Sequence, residues 1–113
     1  MFETRIKTKI EVEDFIDLIK KYQKEQIECT PHTFFRLSTT QRNIYTCEEL
    51  TRILLKDTPF LVGMQFNNNY AVFYHYKNKE KEKKALKMII SVDIRKVNIV
   101  TFYFIEEWQI PKI

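Results

Sequence analysis

The residues Asn67-Asn68-Asn69 separate two apolar runs, Phe60 to Phe66 and Tyr70 to Tyr76, and this arrangement constrains the fold more than any other part of the chain. Asparagine tolerates the left-handed conformation, so the triplet forms a tight turn and the flanking runs form an antiparallel hairpin. Leu86 to Val92 and Val97 to Phe104 continue in the same manner, joined by Asp93-Ile94-Arg95-Lys96. The pattern predicts a roughly four-stranded antiparallel meander. Val97, Ile99, Thr101 and Tyr103 alternate with Val100, Phe102 and Phe104, so both faces of the last strand are occupied, as in an interior position.

The first half of the chain has other periods. Ile6, Thr8, Ile10 and Val12 alternate with Arg5, Lys7, Lys9 and Glu11, which predicts an additional N-terminal strand with lysines guarding a sheet edge. Phe15, Leu18, Ile19 and Tyr22 then fall at helical spacing, predicting a helix that runs to near Gln26. Thr30 and Pro31 have the form of an N-cap and a first-turn proline, so a short second helix is expected there, broken at Ser38-Thr39-Thr40. Thr46 and Glu49 form a capping box for a third helix that carries Leu50, Ile53 and Leu54 and stops at Asp57 and Pro59. Helices followed by strands predict an α+β fold, with the helices packed on one face of the meander. At 113 residues the chain forms a single domain, 1–113, with 1–29 as a strand-helix extension of the region 30–104.

Composition excludes several functions. The one glycine, Gly63, cannot build a phosphate-binding glycine loop or a dinucleotide fingerprint. No cluster has metal-ligand spacing, so no cofactor or metal is expected. Cys29 and Cys47 lack a CxxC spacing, and the expectation is two free thiols in a reducing cytoplasm. No apolar run approaches the roughly 18 residues of a membrane span, so no membrane partner and a cytoplasmic location are expected. A net charge of +4 suits an anionic partner without requiring one.

In the short helix expected after Thr30, a spacing of four puts His32 and Arg36 on one face. Cleaving RNA without a metal takes a group that moves protons, cations that neutralise the phosphorane, and a hydroxyl that orients or donates. His32 fits the first task, Arg36 and Arg42 the second, and Thr101 and Tyr103 complete a cleft. A lone histidine in a first helical turn is nevertheless commonly just solvated, and His75, within a strand, has a weaker claim. Tyr70, Tyr74 and Tyr76 share one strand face, where packing is the commoner use and base stacking the alternative. Lys77 to Lys84 is interrupted by Glu80 and Glu82, which suits a solvated loop better than a phosphate rail.

The order of these features carries a resemblance. A His-x-x-x-Arg segment, an Arg-x-Ile step into a Thr-capped Glu-Glu-Leu helix, a Tyr-Ala-Val-Phe-Tyr strand and a closing Ile-Val-Thr-Phe-Tyr strand resemble the RelE/BrnT-like toxin ribonucleases. They are most similar to a related His-x-x-x-Arg domain family that finishes on a Thr-x-Tyr strand. The resemblance covers roughly Pro31 to Phe104. It implies a barnase/RelE-like fold and a metal-independent RNA endonuclease or RNA-binding domain of toxin-antitoxin type, a hydrolase if catalysis is retained. Residue by residue it implies His32, Arg36, Arg42, Thr101 and Tyr103 as the catalytic set, with RNA and an antitoxin or second copy as partners. Two departures stand out: Arg42 follows Arg36 at a longer interval than the family pattern, and Asn43 replaces a glycine. The alternative is a non-catalytic protein-interaction module of the same fold that binds a partner through an edge strand.

Overall fold

The turn at the asparagine triplet forms as the sequence predicts. Asn68 takes a φ of 68°, and the Asn67 side-chain Oδ1 accepts the Asn69 N–H at 3.0 Å. The computed structural model describes residues 5–76 and 84–113. The run Lys77 to Lys84, expected as a solvated loop, lies almost wholly outside them. In chain order, the described residues form strand β1 (Ile6–Ile10), helix α1 (Val12–Ile19), strand β2 (Ile27–Cys29), helices α2 (Thr39–Ile44) and α3 (Cys47–Lys56), and strands β3 (Leu61–Gln65), β4 (Tyr70–His75), β5 (Lys84–Val92) and β6 (Val97–Glu106).

One six-stranded sheet results, ordered β1-β3-β4-β5-β6-β2. Its centre is the expected antiparallel meander, and β1 pairs with β3 at one edge as predicted. The sheet is nevertheless mixed, because β2 pairs parallel with β6. Three residues give no usable alternation, and β2 is extended only because β6 offers it a partner, so sequence periodicity does not find it.

α1 and α3 pack on one face of the sheet, burying Phe15 and Ile19 from α1 and Leu50, Ile53 and Leu54 from α3 against Val72, Met88, Ile90, Ile99 and Phe102. Each such aliphatic or aromatic side chain contributes about 1.5–3 kcal/mol through burial. α1 is shorter than predicted. After Ile19 the chain must turn toward β2, and the Tyr22 hydroxyl donates to the Asp93 carbonyl while Gln26 Nε2 donates to the Arg95 carbonyl at 2.9 Å. Those tertiary bonds accompany the turn out of α1, after which Lys24–Gln26 form a single 3-10 turn that leads into β2. α3 starts where predicted, with Thr46 Oγ1 accepting the Glu49 N–H at 3.2 Å.

The helix expected at Thr30 does not form. Residues 31–37 are a succession of tight turns, with Thr33, Phe35 and Leu37 N–H groups donating to the carbonyls of Thr30, His32 and Phe34. Ser38-Thr39-Thr40, expected as a break, instead begins α2. Ser38 Oγ accepts the Gln41 N–H, and Gln41 Oε1 accepts the Ser38 N–H in return. The local chemistry that makes serine disrupt a helix interior makes it a good cap.

The opposite face of the sheet bears a second apolar cluster of Leu61, Ala71, Phe73, Ala85, Ile89 and Ile105, covered in part by Ile6, Phe60 and Ile110. None of the α-helices among the described residues contributes to it. Gly63 lets β1 and the C-terminal residues close over one side, since a Cβ there would stand 2.7 Å from Ile6 Cγ2 and 3.4 Å from Ile113 Cδ1. The cysteines depart from expectation: Cys29 and Cys47 form a disulfide, with Cα atoms 6.0 Å apart. The end of β2 and the start of α3 are neighbours only in the folded chain, so their spacing in sequence carries no sign of the bridge.

Candidate functional site

The site is built around a bulge in β6. Thr101 is paired with Ile89, yet Ile99 is paired with Ile90, so Val100 is an extra residue in the strand. This insertion changes the face split that strict alternation predicts. Val97, Ile99, Phe102 and Phe104 turn to the helix face, whereas Val100 and Tyr103 join the helix-free face. A cleft-facing Thr101 and Tyr103 thus depend on the bulge rather than on simple period two.

The bulge is filled from the side by the turns after β2. Thr33 Oγ1 donates to the Ile99 carbonyl at 2.6 Å, Thr30 Oγ1 donates to the Val100 carbonyl at 3.1 Å, and the Phe102 N–H donates to the Thr33 carbonyl at 3.2 Å. Thr33 is fully buried in doing so. Backbone groups that the bulge unpairs therefore regain partners, as buried polar groups require. The threonines that suggested a helix start instead fasten residues 30–33 to β6, and this attachment fixes where Arg36 emerges.

Arg36 folds over the sheet edge and places its guanidinium carbon 3.8 Å from the Tyr103 ring centroid. Lys87, paired with Tyr103 on the neighbouring strand, holds its Nζ 5.5 Å from the same centroid and 5.6 Å from that of Phe73. Contacts of this type contribute about 0.5–1 kcal/mol each at exposed positions. They also hold two cations beside one ring. The groove they border has a volume of about 500 Å³, with Arg36, Lys87, Thr101 and Tyr103 on one side, Gln65, Asn67 and Asn69 on the other, and Ile89 and Val100 between. Its described lining residues carry two cations, Arg36 and Lys87, and no carboxylate.

Of the five residues picked from sequence, Arg36, Thr101 and Tyr103 come together here. Arg42 does not join them: its Nε donates to the Phe34 carbonyl at 3.0 Å, and it lines a separate groove with Pro31, Phe34, Phe35, Thr46 and Cys47. His32 is exposed on the turn and lines neither groove. Without the predicted helix, the spacing of four no longer puts it on a common face with Arg36. Lys87, Asn67 and Asn69 were missed as site residues. The available signal for Lys87 was a lysine inside an otherwise apolar strand, Leu86-Lys87-Met88.

The three tyrosines at 70, 74 and 76 are used for packing. Tyr70, Tyr74 and Tyr76 belong to the helix-face cluster, with Tyr70 5.7 Å from Phe15 and Tyr76 5.0 Å from Phe104 between ring centroids. His75 stacks on Phe60 at 4.3 Å. The Tyr74 phenol is pushed well above its ordinary pKa, first by burial and then by the charge of Asp57. Among the described residues no group of His, Cys, Asp and Glu assembles into a metal site, and no helix is long and apolar enough to cross a membrane.

Residues 13–99 match the sequence profile of the MJ0788 family. The chain belongs to that family. The matched segment includes Arg36, Asn67, Asn69 and Lys87 and ends just before the bulge that sets Thr101 and Tyr103. No curated protein and no solved structure gives a match.

Proposed function

We propose that this member of the MJ0788 family is an RNA-binding domain, and that the groove on the helix-free face of its sheet takes a single strand. The observation that carries the reading is the juxtaposition of Arg36 over Tyr103 with Lys87 beside the same ring, in a groove without a described carboxylate. A guanidinium offers planar, forked donors to a phosphate, and an ammonium adds a second point of charge. A groove that pairs an aromatic ring with polar and cationic side chains suits an unpaired strand better than a duplex, whose base faces are covered. The resemblance to the RelE/BrnT-like toxin ribonucleases points to the same partner. RNA cleavage is the stronger form of this reading and rests on His32, which stands apart from the groove.

The test is fluorescence anisotropy with a short labelled oligoribonucleotide across a salt series. Each lost phosphate contact lowers the slope of log affinity against log salt by about 0.7 on a single strand. Arg36→Ala and Lys87→Ala should each flatten the slope by that amount, whereas Arg42→Ala should leave it unchanged. Absence of binding at low salt, or binding indifferent to both groove substitutions, refutes the reading. Incubation with RNA in chelator decides the catalytic form: cleavage by the parent protein that disappears in His32→Ala supports an endonuclease.

A second reading has an observation of its own. Phe35 and Ile44 are 77% and 59% exposed, and Phe35 lines the second groove with Pro31, Phe34, Arg42, Thr46 and Cys47. Capture of a protein partner there, abolished by Phe35→Ser with RNA affinity intact, would favour an interaction module.

A further inference from the structure

Resting on the RNA-binding reading above, we infer that the groove holds one unpaired nucleobase, stacked on the outer face of the Arg36 guanidinium, with the side-chain amides of Asn67 and Asn69 facing its edge.

Three features lead there. The first is the platform. Tyr103 cannot itself receive a base on the face that Arg36 covers at 3.8 Å. Arg36 is exposed, so its own outer plane is the surface presented to a ligand, and a guanidinium plane backed by an aromatic ring is a stacking partner for a base. If phosphate attraction were the whole role, a flexible lysine would serve as well. The place of Arg36 over the ring presents a planar group instead.

The second feature is the width. Tyr103 lies on β6, and Asn67 and Asn69 lie at the turn joining β3 and β4. Tyr103 is in register with Lys87 and, through it, with Phe73, so Asn69 lies two strands across and four residues along, about 16 Å of backbone distance. Side chains from both ends leave room for a base-sized ligand between them. The floor between them is apolar, formed by Ile89 and Val100, and the groove volume of about 500 Å³ falls within the usual range for small-ligand sites.

The third is the chemistry of the far wall. Asn67 Oδ1 is engaged by the Asn69 N–H at 3.0 Å, so its NH₂ group is the donor side of that wall. The Asn69 amide can both donate and accept. Amides pair with base edges in a manner that depends on the base, whereas phosphate contacts do not. Lys87, beside Tyr103, is placed for the phosphate attached to the same nucleotide.

The decisive measurement uses the intact protein and two strands of equal length and charge, one complete and one with an abasic residue at each position. The complete strand should bind about tenfold more tightly, the scale of a single stacked base. Arg36→Lys should reproduce that loss while keeping the salt slope of the parent protein, because it keeps the charge and removes the plane. Four homo-oligomers should differ in affinity, and the spread should narrow in Asn69→Ala and in Asn67→Ser, the latter retaining an oxygen for the turn. Equal affinity for complete and abasic strands overturns the inference on the unmodified protein, independently of any variant's folding. In that case a salt-dependent affinity still sensitive to Arg36→Ala and Lys87→Ala leaves the RNA-binding reading standing, so the two failures are distinct.

Discussion

Tyr74 offers the sharpest test of the energetics of this fold. Its ring is packed in the helix-face core with only 3% of the residue exposed, and its hydroxyl has no hydrogen-bond partner among the described residues. Removing that oxygen while keeping the ring, Tyr74→Phe, should therefore stabilise the protein. An unpaired buried hydroxyl costs about 1–3 kcal/mol, and the lower end is appropriate where a single small group is deleted without repacking. For a chain of 113 residues the unfolding entropy is about 0.24 kcal/mol/K, so about 1 kcal/mol raises Tm by roughly 4 °C.

The same substitution has a signature in pH. Burial and the Asp57 charge raise the Tyr74 pKa in the folded state above the unfolded value of about 10. The folded protein therefore holds this proton more tightly than the unfolded chain does. The stability linked to it is fully present below about pH 10 and is lost as the pH climbs from there toward the folded pKa. Tyr74→Phe should lessen the alkaline decline as well as raise Tm near neutrality. Urea unfolding followed by circular dichroism at neutral pH and again above pH 10 measures both. A variant equal to or less stable than the parent would show that the hydroxyl is satisfied, by a buried water for example, and would refute the reasoning.

Two other perturbations probe the attachment of the site. Reducing the Cys29–Cys47 bridge, or replacing both cysteines by serine, reopens a loop of sequence separation 18 and should cost about 3 kcal/mol, read as a shift in the urea midpoint with and without reductant. Thr33→Val removes the hydroxyl bonded to the Ile99 carbonyl. That carbonyl keeps the Thr30 N–H at 3.0 Å, so the loss should be about 1 kcal/mol rather than the larger penalty of an orphaned group, measurable by thermal unfolding.

Local chemistry was enough to predict much of the architecture. The asparagine triplet dictated its own turn because its side chain and its tolerance of positive φ act within three residues. The Thr46–Glu49 cap likewise depends only on neighbours in sequence. The lysine-studded strand at residues 6–10 and the apolar alternation after Phe60 gave the edge strand and the meander because period two reports directly which face is buried. The same logic picked out Thr101 and Tyr103, although it paired them with Val97 and Ile99 rather than with Val100.

What required the tertiary structure shares one cause, a competing partner distant in sequence. Thr30 and Pro31 look like a helix start, but the carbonyls of Ile99 and Val100 bind the threonine hydroxyls and draw residues 30–33 along β6. β2 exists because β6 has an open edge, and the cysteines meet because β2 ends beside α3. The candidate site follows from the same competition. Sequence supplied Arg36, Thr101 and Tyr103 as residues suited to an anion, while the bulge at Val100 and its threonine filling decided that they share a groove with Lys87 and that His32 and Arg42 stay outside it.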